Sequence, residues 1–154
     1  MQDNHINAIT RATKSILTSH LGVEVSMNEP VVIKDTSVPA KAISVILGVN
    51  GQLEGQIICS MEADTAKSII GTMMGGMTIE AIDDMGWSAI QEFGNWIAGT
   101  TATELSKEAC TIDVTPPVIN EGSSKFRSAE TFVSLPLEST IGAINVHVSI
   151  KQER

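Results

Sequence analysis

Gln91-Glu92-Phe93-Gly94-Asn95-Trp96-Ile97-Ala98-Gly99 lies in the middle of the longest helix-like segment of the chain. A carboxylate and a carboxamide stand three residues apart in it. At about 100° per residue, both fall on one side of a helix. Ile82, Met85, Ala89, Ile90, Phe93, Trp96 and Ile97 share a broad apolar side that is expected to face a core. Glu92 and Asn95 lie largely off that side, and their neighbours in projection are Ser88, Gly99, Ala102 and Ser106. These neighbours are short, where a solvated face normally carries long Lys and Glu, so the two polar tips stand clear. Gly94 and Gly99 each cost a helix interior about 1 kcal/mol relative to Ala. Close approach of another backbone is one reason to retain them. A Glu and an Asn at this spacing are also common on plain solvated faces, and spacing alone does not separate the two readings.

The helical pattern runs from Thr78 to about Ala109 and starts properly near Ile82. Asp83 and Asp84 in its first turn suit the positive end of the helix dipole. Upstream, Asp3 or Asn4 is placed to cap a first helix that runs to about His20, with Ile6, Ile9, Ala12, Ile16 and Leu17 on one stripe and Gly22 as its stop. Val31-Val32-Ile33 after Pro30 reads as a short strand. Ala42 to Val49 and Leu53 to Ser60 read as a hairpin joined by a type I′ turn at Asn50-Gly51. Ser60 is placed to cap a second helix, Glu62 to Met74, which Gly75-Gly76 ends. Beyond the long helix, Thr111 to Ile119 is extended around Pro116-Pro117, and Asn120 to Lys125 reads as a polar loop. Arg127 to Leu137 and Ile141 to Ile150 read as a second hairpin turning near Glu138-Ser139-Thr140. The sum is an α/β chain of the α+β type, with three helices and about six strands.

The halves also repeat. Pro30 and Pro117 stand 87 positions apart (117 − 30 = 87), as do Gly55 and Gly142 (142 − 55 = 87), each glycine opening the last strand of a hairpin. In that register Ile57 falls on Ile144 and Gly22 on Ala109, so each half reads helix, strand, hairpin. Glu92 maps to His5 and Asn95 to Ala8, so the carboxylate–amide pair occurs only in the second half. A single domain spanning residues 1–154, with halves 1–76 and 77–154, is expected.

Composition narrows the functional classes. Aromatic residues make up 3% of the chain and Tyr is absent, so the core must be aliphatic. The net charge of −8, with ten scattered Lys and Arg, argues against nucleic acid as a partner. The polar start Met1-Gln2-Asp3-Asn4 lacks a signal peptide's features, and no apolar run approaches the ~20 residues a bilayer span needs. A cytoplasmic protein with no membrane partner is the expectation. His5, His20 and His147 lie on separate elements, and Cys59 and Cys110 are isolated, so no metal site is expected. Met73, Met74 and Met77 near Gly71-Thr72-Met73-Met74-Gly75 read as core filler. Ser123-Ser124 lacks an identifiable base.

Glu92-Phe93-Gly94-Asn95-Trp96-Ile97-Ala98-Gly99 resembles the Glu-x-x-Asn motif, followed by small residues, of the CheC/CheX/FliY chemotaxis phosphatases. The opening helix, the Asn50-Gly51 hairpin and the doubled layout extend the resemblance across nearly the whole chain. A motif carried once is similar to the CheX type. The resemblance implies helices packed on one face of a mainly antiparallel sheet, and a phosphatase for the aspartyl phosphate of a CheY-type response regulator. By the same carry-over, Asn95 orients the attacking water and Glu92 grips the regulator's active-site lysine. Ser88, Gly99, Ala102 and Ser106 would form the docking face around them. Mg²⁺ is expected from the regulator, with no cofactor of the chain's own, and a homodimer paired through its sheets is implied. The alternative is a non-catalytic adaptor of the same fold in chemotaxis or flagellar signalling.

Overall fold

Residues 3–152 are described in a computed structural model of the chain. The first helix, α1, runs Asp3–Ser15 and continues as one π-helical turn, Ile16–His20. Its expected stripe of Ile6, Ile9, Ala12, Ile16 and Leu17 is buried. Gly22 follows at φ +65°, the left-handed conformation that glycine adopts without a Cβ penalty. Because α1 begins at Asp3, Asn4 sits inside its first turn rather than at the cap. A capping role for the Asp3 side chain lies outside the described residues.

The strands are β1 (Val25–Met27), β2 (Val31–Ile33), β3 (Ser37–Pro39), β4 (Ile43–Gly51), β5 (Leu53–Met61), β6 (Ile112–Val114), β7 (Val118–Glu121), β8 (Lys125–Arg127), β9 (Phe132–Ser139) and β10 (Gly142–Gln152). Helix α2 spans Ala63–Met73 and α3 spans Asp84–Lys107. The main sheet is ordered β1-β9-β10-β5-β4-β6, with β2 also beside β9 and β7 also beside β4, all antiparallel. It is thus six positions wide, as expected, but each edge position is filled by two short strands. Pro30 interrupts one edge and Pro116-Pro117 the other. Proline cannot donate to a ladder and is tolerated at edges. The remaining strands, β3 and β8, form a separate two-stranded ribbon that the sequence pattern did not reveal.

All three helices lie on one face. Val45, Leu47, Ile57, Cys59, Val146 and Val148 from the sheet share a single buried cluster with Ile9, Ile69 and Phe93 from the helices. On the opposite face the ribbon covers a smaller cluster of Val38, Ile58 and Phe132.

The doubling seen in the sequence agrees with the fold. A shift of 87 positions carries β1 onto β6, β2 onto β7, β4 onto β9 and β5 onto β10. The halves also exchange edges, since β1 and β2 pair with β9 while β6 and β7 pair with β4. Gly22 and its mate Ala109 both sit in the left-handed region, at φ 65° and 57°. Ala109 is the sole non-glycine with positive φ among the described residues. Gly55 and Gly142 are likewise both at positive φ.

Several boundaries differ from expectation. Pairing between β4 and β5 ends at Val49↔Gly55, so Asn50-Gly51 is not a two-residue turn. Both residues instead pair with Asp113 and Ile112 of β6, and the edge ladder outweighs the local turn preference. Ser60 does not cap α2. It lies within β5, where its hydroxyl accepts from the Lys41 N–H at 2.7 Å, and Glu62 occupies the cap position. Thr78 to Ile82 is not helical, and Asp83 caps α3. Much of Asn120–Lys125 is strand rather than loop, and Arg127 ends β8 well before β9 begins.

Candidate functional site

Helix α3 is held at both ends and along one side. At its start the Asp83 carboxylate accepts from the Gly86 N–H at 2.9 Å. Ile90, Phe93, Ile97, Thr101 and Leu105 are buried beneath it. At its far end Arg11 of α1 reaches Glu104 at 3.2 Å and Glu108 at 3.1 Å, while Lys107 reaches Glu104 at 3.2 Å. Hydrogen bonds from Lys107 and then Arg11 hold the Glu104 carboxyl below its ordinary range.

The side of α3 next to Pro117 is set by Gly94 and Gln91. A Cβ on Gly94 would fall 2.8 Å from two Pro117 ring carbons and 2.9 Å from Val45. Gln91 donates from its side-chain amide to the Pro117 carbonyl at 2.7 Å. Gly94 therefore lets α3 lie against β4 and the proline-broken edge. Gly99 is different, because a Cβ there would meet nothing within 4 Å. Of the two glycines, the fold itself explains only the first.

With α3 anchored in this way, Glu92 and Asn95 project outward. Both are exposed, and among the described residues no hydrogen bond or ion pair engages either side chain. Ser88, Gly99 and Ser106 are exposed around them, as expected. Ala102 is half-buried and packs against the core cluster, so it lies at the margin of this face. Trp96 is half-buried, and its ring meets that of His20 with centroids 5.0 Å apart and planes tilted by 35°.

Two apolar residues overturn their expected placement. Met85, assigned above to the core stripe, is 69% exposed, and Met77, read as core filler, is 61% exposed. Met73 and Met74 do pack on the core. The helical projection contained the signal for Met85. Seven residues before Glu92 places it within about 20° of that side chain, yet its apolarity grouped it with the core.

The other candidates do not converge. His5 and His147 are buried on opposite sides of the sheet, while His20 is exposed. Among the described residues, no group of three or more His, Cys, Asp or Glu could hold a metal ion. Ser134 lies 2.7 Å from His147 Nδ1, but both are buried; burial and then Lys41 push the imidazole below its ordinary range. Cys59 is fully buried, and burial pushes its thiol up to about 12. His5 and Ala8, the mates of Glu92 and Asn95 in the repeat, are themselves buried in α1. At these two positions the first half thus presents no exposed polar pair.

The pair therefore stands alone on a convex helix face. A carboxylate accepts hydrogen bonds, and a carboxamide both donates and accepts. Two such groups on a convex surface act on something that closes over them, which suits a macromolecular partner better than a small molecule in a cleft.

The profile of the CheC-like family matches residues 85–121, which include Glu92 and Asn95. The CheY-P phosphatase CheX of Thermotoga maritima is 30% identical over 95% of this chain and 95% of its own. A chain of the CheX–CheY–BeF3–Mg²⁺ complex from Borrelia burgdorferi is 26% identical, with a TM-score of 0.74 over 96% of this chain and 98% of that one. The chemotaxis protein CheX of Desulfovibrio desulfuricans has a TM-score of 0.84 at 20% identity, covering 97% of this chain and 99% of that one. Among the described residues, no helix is long and apolar enough to cross a membrane.

Proposed function

Because the chain belongs to the CheC-like family, on its CheX side, we propose that it is a phosphatase acting on the aspartyl phosphate of a CheY-type response regulator. The observation that carries this reading is the exposed Glu92–Asn95 pair, which has no side-chain partner among the described residues, on an anchored helix. In this reading the Asn95 carboxamide holds a water in line with phosphorus, accepting from one O–H and donating to the water oxygen. The water oxygen forms the new bond to phosphorus, and the aspartyl oxygen leaves as a carboxylate. Both of the water's protons go with the released phosphate, which leaves as dihydrogen phosphate and exchanges one of them with solvent. Glu92 pairs with the regulator's lysine and fixes the docking register. Mg²⁺ is held by the regulator's own acidic pocket, where it would offset charge on the phosphoryl oxygens. The Glu92–Asn95 strip carries no phosphate-binding cation of its own, which suits a substrate that arrives with both its metal and its lysine.

The test follows the loss of phosphate from the CheY-type regulator of the same organism. Added protein should accelerate the decay, and Glu92→Ala should raise KM and lower kcat, by about tenfold in kcat/KM, the loss of one charge pair at an interface. Decay unchanged by the wild-type protein would leave only the adaptor reading, while unchanged kinetics in Glu92→Ala would remove its docking role.

We also propose that the protein works in the cytoplasm as a homodimer joined through sheet edges. Val31 and Val32 of β2 and Val118 of β7, 47%, 68% and 61% exposed, lie on the broken edge strands and support this. Light scattering should give twice the 16.4 kDa chain mass, and a monomer mass would overturn the dimer.

A further inference from the structure

Five large apolar side chains are exposed among the described residues, and two of them, Met77 and Met85, border one hollow beside the start of α3. That hollow has a volume of about 470 Å³, and Met74, Ile79, Glu80 and Asp83 also line it. The backbone holds the segment before α3 tightly enough to make the hollow a built feature. Gly76 and Met77 both donate their N–H groups to the Gly71 carbonyl, at 2.8 and 3.1 Å. Gly71 is required there, because a Cβ on it would collide with the Met77 carbonyl.

The hollow continues the strip that carries Glu92 and Asn95. Met85 lies one heptad before Glu92, about 10 Å along the helix and on nearly the same azimuth. The lining of the hollow is acidic, since Glu80 and Asp83 are exposed there and neither forms a salt bridge among the described residues. Methionine is flexible and polarizable, and suits a surface that must mould itself to a partner.

We propose that Met77 and Met85 form a second docking point for the same regulator, taking an apolar side chain that a basic residue flanks. This inference rests on the reading of Glu92 and Asn95 as the regulator's site. Apolar contact here would set affinity and the choice among regulators, leaving the chemistry to Asn95. The pair of methionines is therefore expected to act on binding and KM rather than on kcat.

The experiment measures binding of the beryllofluoride- and Mg²⁺-loaded regulator, together with kcat and KM for its dephosphorylation. It compares wild type, the double variant Met77→Ser/Met85→Ser, and Asn95→Ala as a control. Both methionines are exposed, so the double variant should melt within a few degrees of wild type, and Met77→Gln/Met85→Gln repeats the test with the side-chain length kept. The proposal expects about tenfold weaker binding and about tenfold higher KM in the serine variant, as for loss of an interface hot spot, with kcat unchanged. Unchanged affinity and KM would overturn the docking role, even while loss of turnover in Asn95→Ala upheld the phosphatase. If wild type binds the regulator without accelerating decay, the phosphatase reading fails, and weakened binding by the double variant still upholds the docking point. If wild type neither binds nor accelerates, both fail.

Discussion

Asn95→Ala should remove the acceleration of dephosphorylation, so that regulator phosphate decays as slowly with the variant as with no protein. The side chain is exposed and makes no hydrogen bond among the described residues, so nothing in the fold depends on it. Alanine is also the better helix former, which keeps α3 intact. What disappears is the group that both accepts from and donates to one water. Positioning of that kind is worth about 2.7 kcal/mol if the acceleration is a hundredfold. Asn95→Asp tests the donor separately. It keeps the shape, exchanges the N–H₂ for a second acceptor, and adds a negative charge facing the phosphate. Turnover should fall at least as far as in the alanine variant. Binding of the loaded regulator should largely persist in Asn95→Ala, because Glu92 and the rest of the strip remain. Wild-type rates in either variant would dismiss Asn95 as the water-positioning group.

The helix face that carries the candidate site was legible because its signal is local. Glu92, Asn95, Ser88, Gly99 and Ser106 share a helix face through periodicity alone, and the burial of Phe93, Ile90 and Ile97 fixes which way that face points. The repeat was legible from two prolines and two glycines because each has a backbone requirement that recurs in both halves. Ala109 shows the limit, since its left-handed φ follows from the symmetry of the two helix ends and not from its own preference. Long-range contacts were not legible. Asn50-Gly51 favours a tight turn by itself, but both residues continue β4 in pairing with β6. Gly94 gave no hint that its neighbour would be Pro117. Met85 is apolar and so patterns with the core stripe, but its angle matches that of Glu92 and its side chain is exposed.

Gly55→Ala should have the largest effect on stability, with a cost of about 3 kcal/mol or more, in the range of strongly destabilising core changes. Gly55 lies in β5 between Val49 of β4 and Ile150 of β10, in the middle of the sheet. Its φ of +151° is in a region that L side chains rarely adopt. A Cβ built there overlaps the Ser149 carbonyl oxygen and comes within 2.9 Å of the Ile150 Cα. These are backbone atoms of a paired strand, so no side-chain rotation relieves the clash. Relief needs β5 and β10 to separate at the seam between the two halves. At about 2–4 °C per kcal/mol for a chain of this size, the melting temperature should fall by about 6–12 °C. Thermal unfolding followed by circular dichroism measures this, and a wild-type midpoint would mean that the central pairing shifts without cost. The variant also separates scaffold from chemistry. Gly55 lies within the sheet, with Ser149 and Ile150 rather than α3 as its nearest neighbours, so below its lowered midpoint the folded variant should keep the wild-type kcat, whereas Asn95→Ala keeps the wild-type melting temperature and loses kcat.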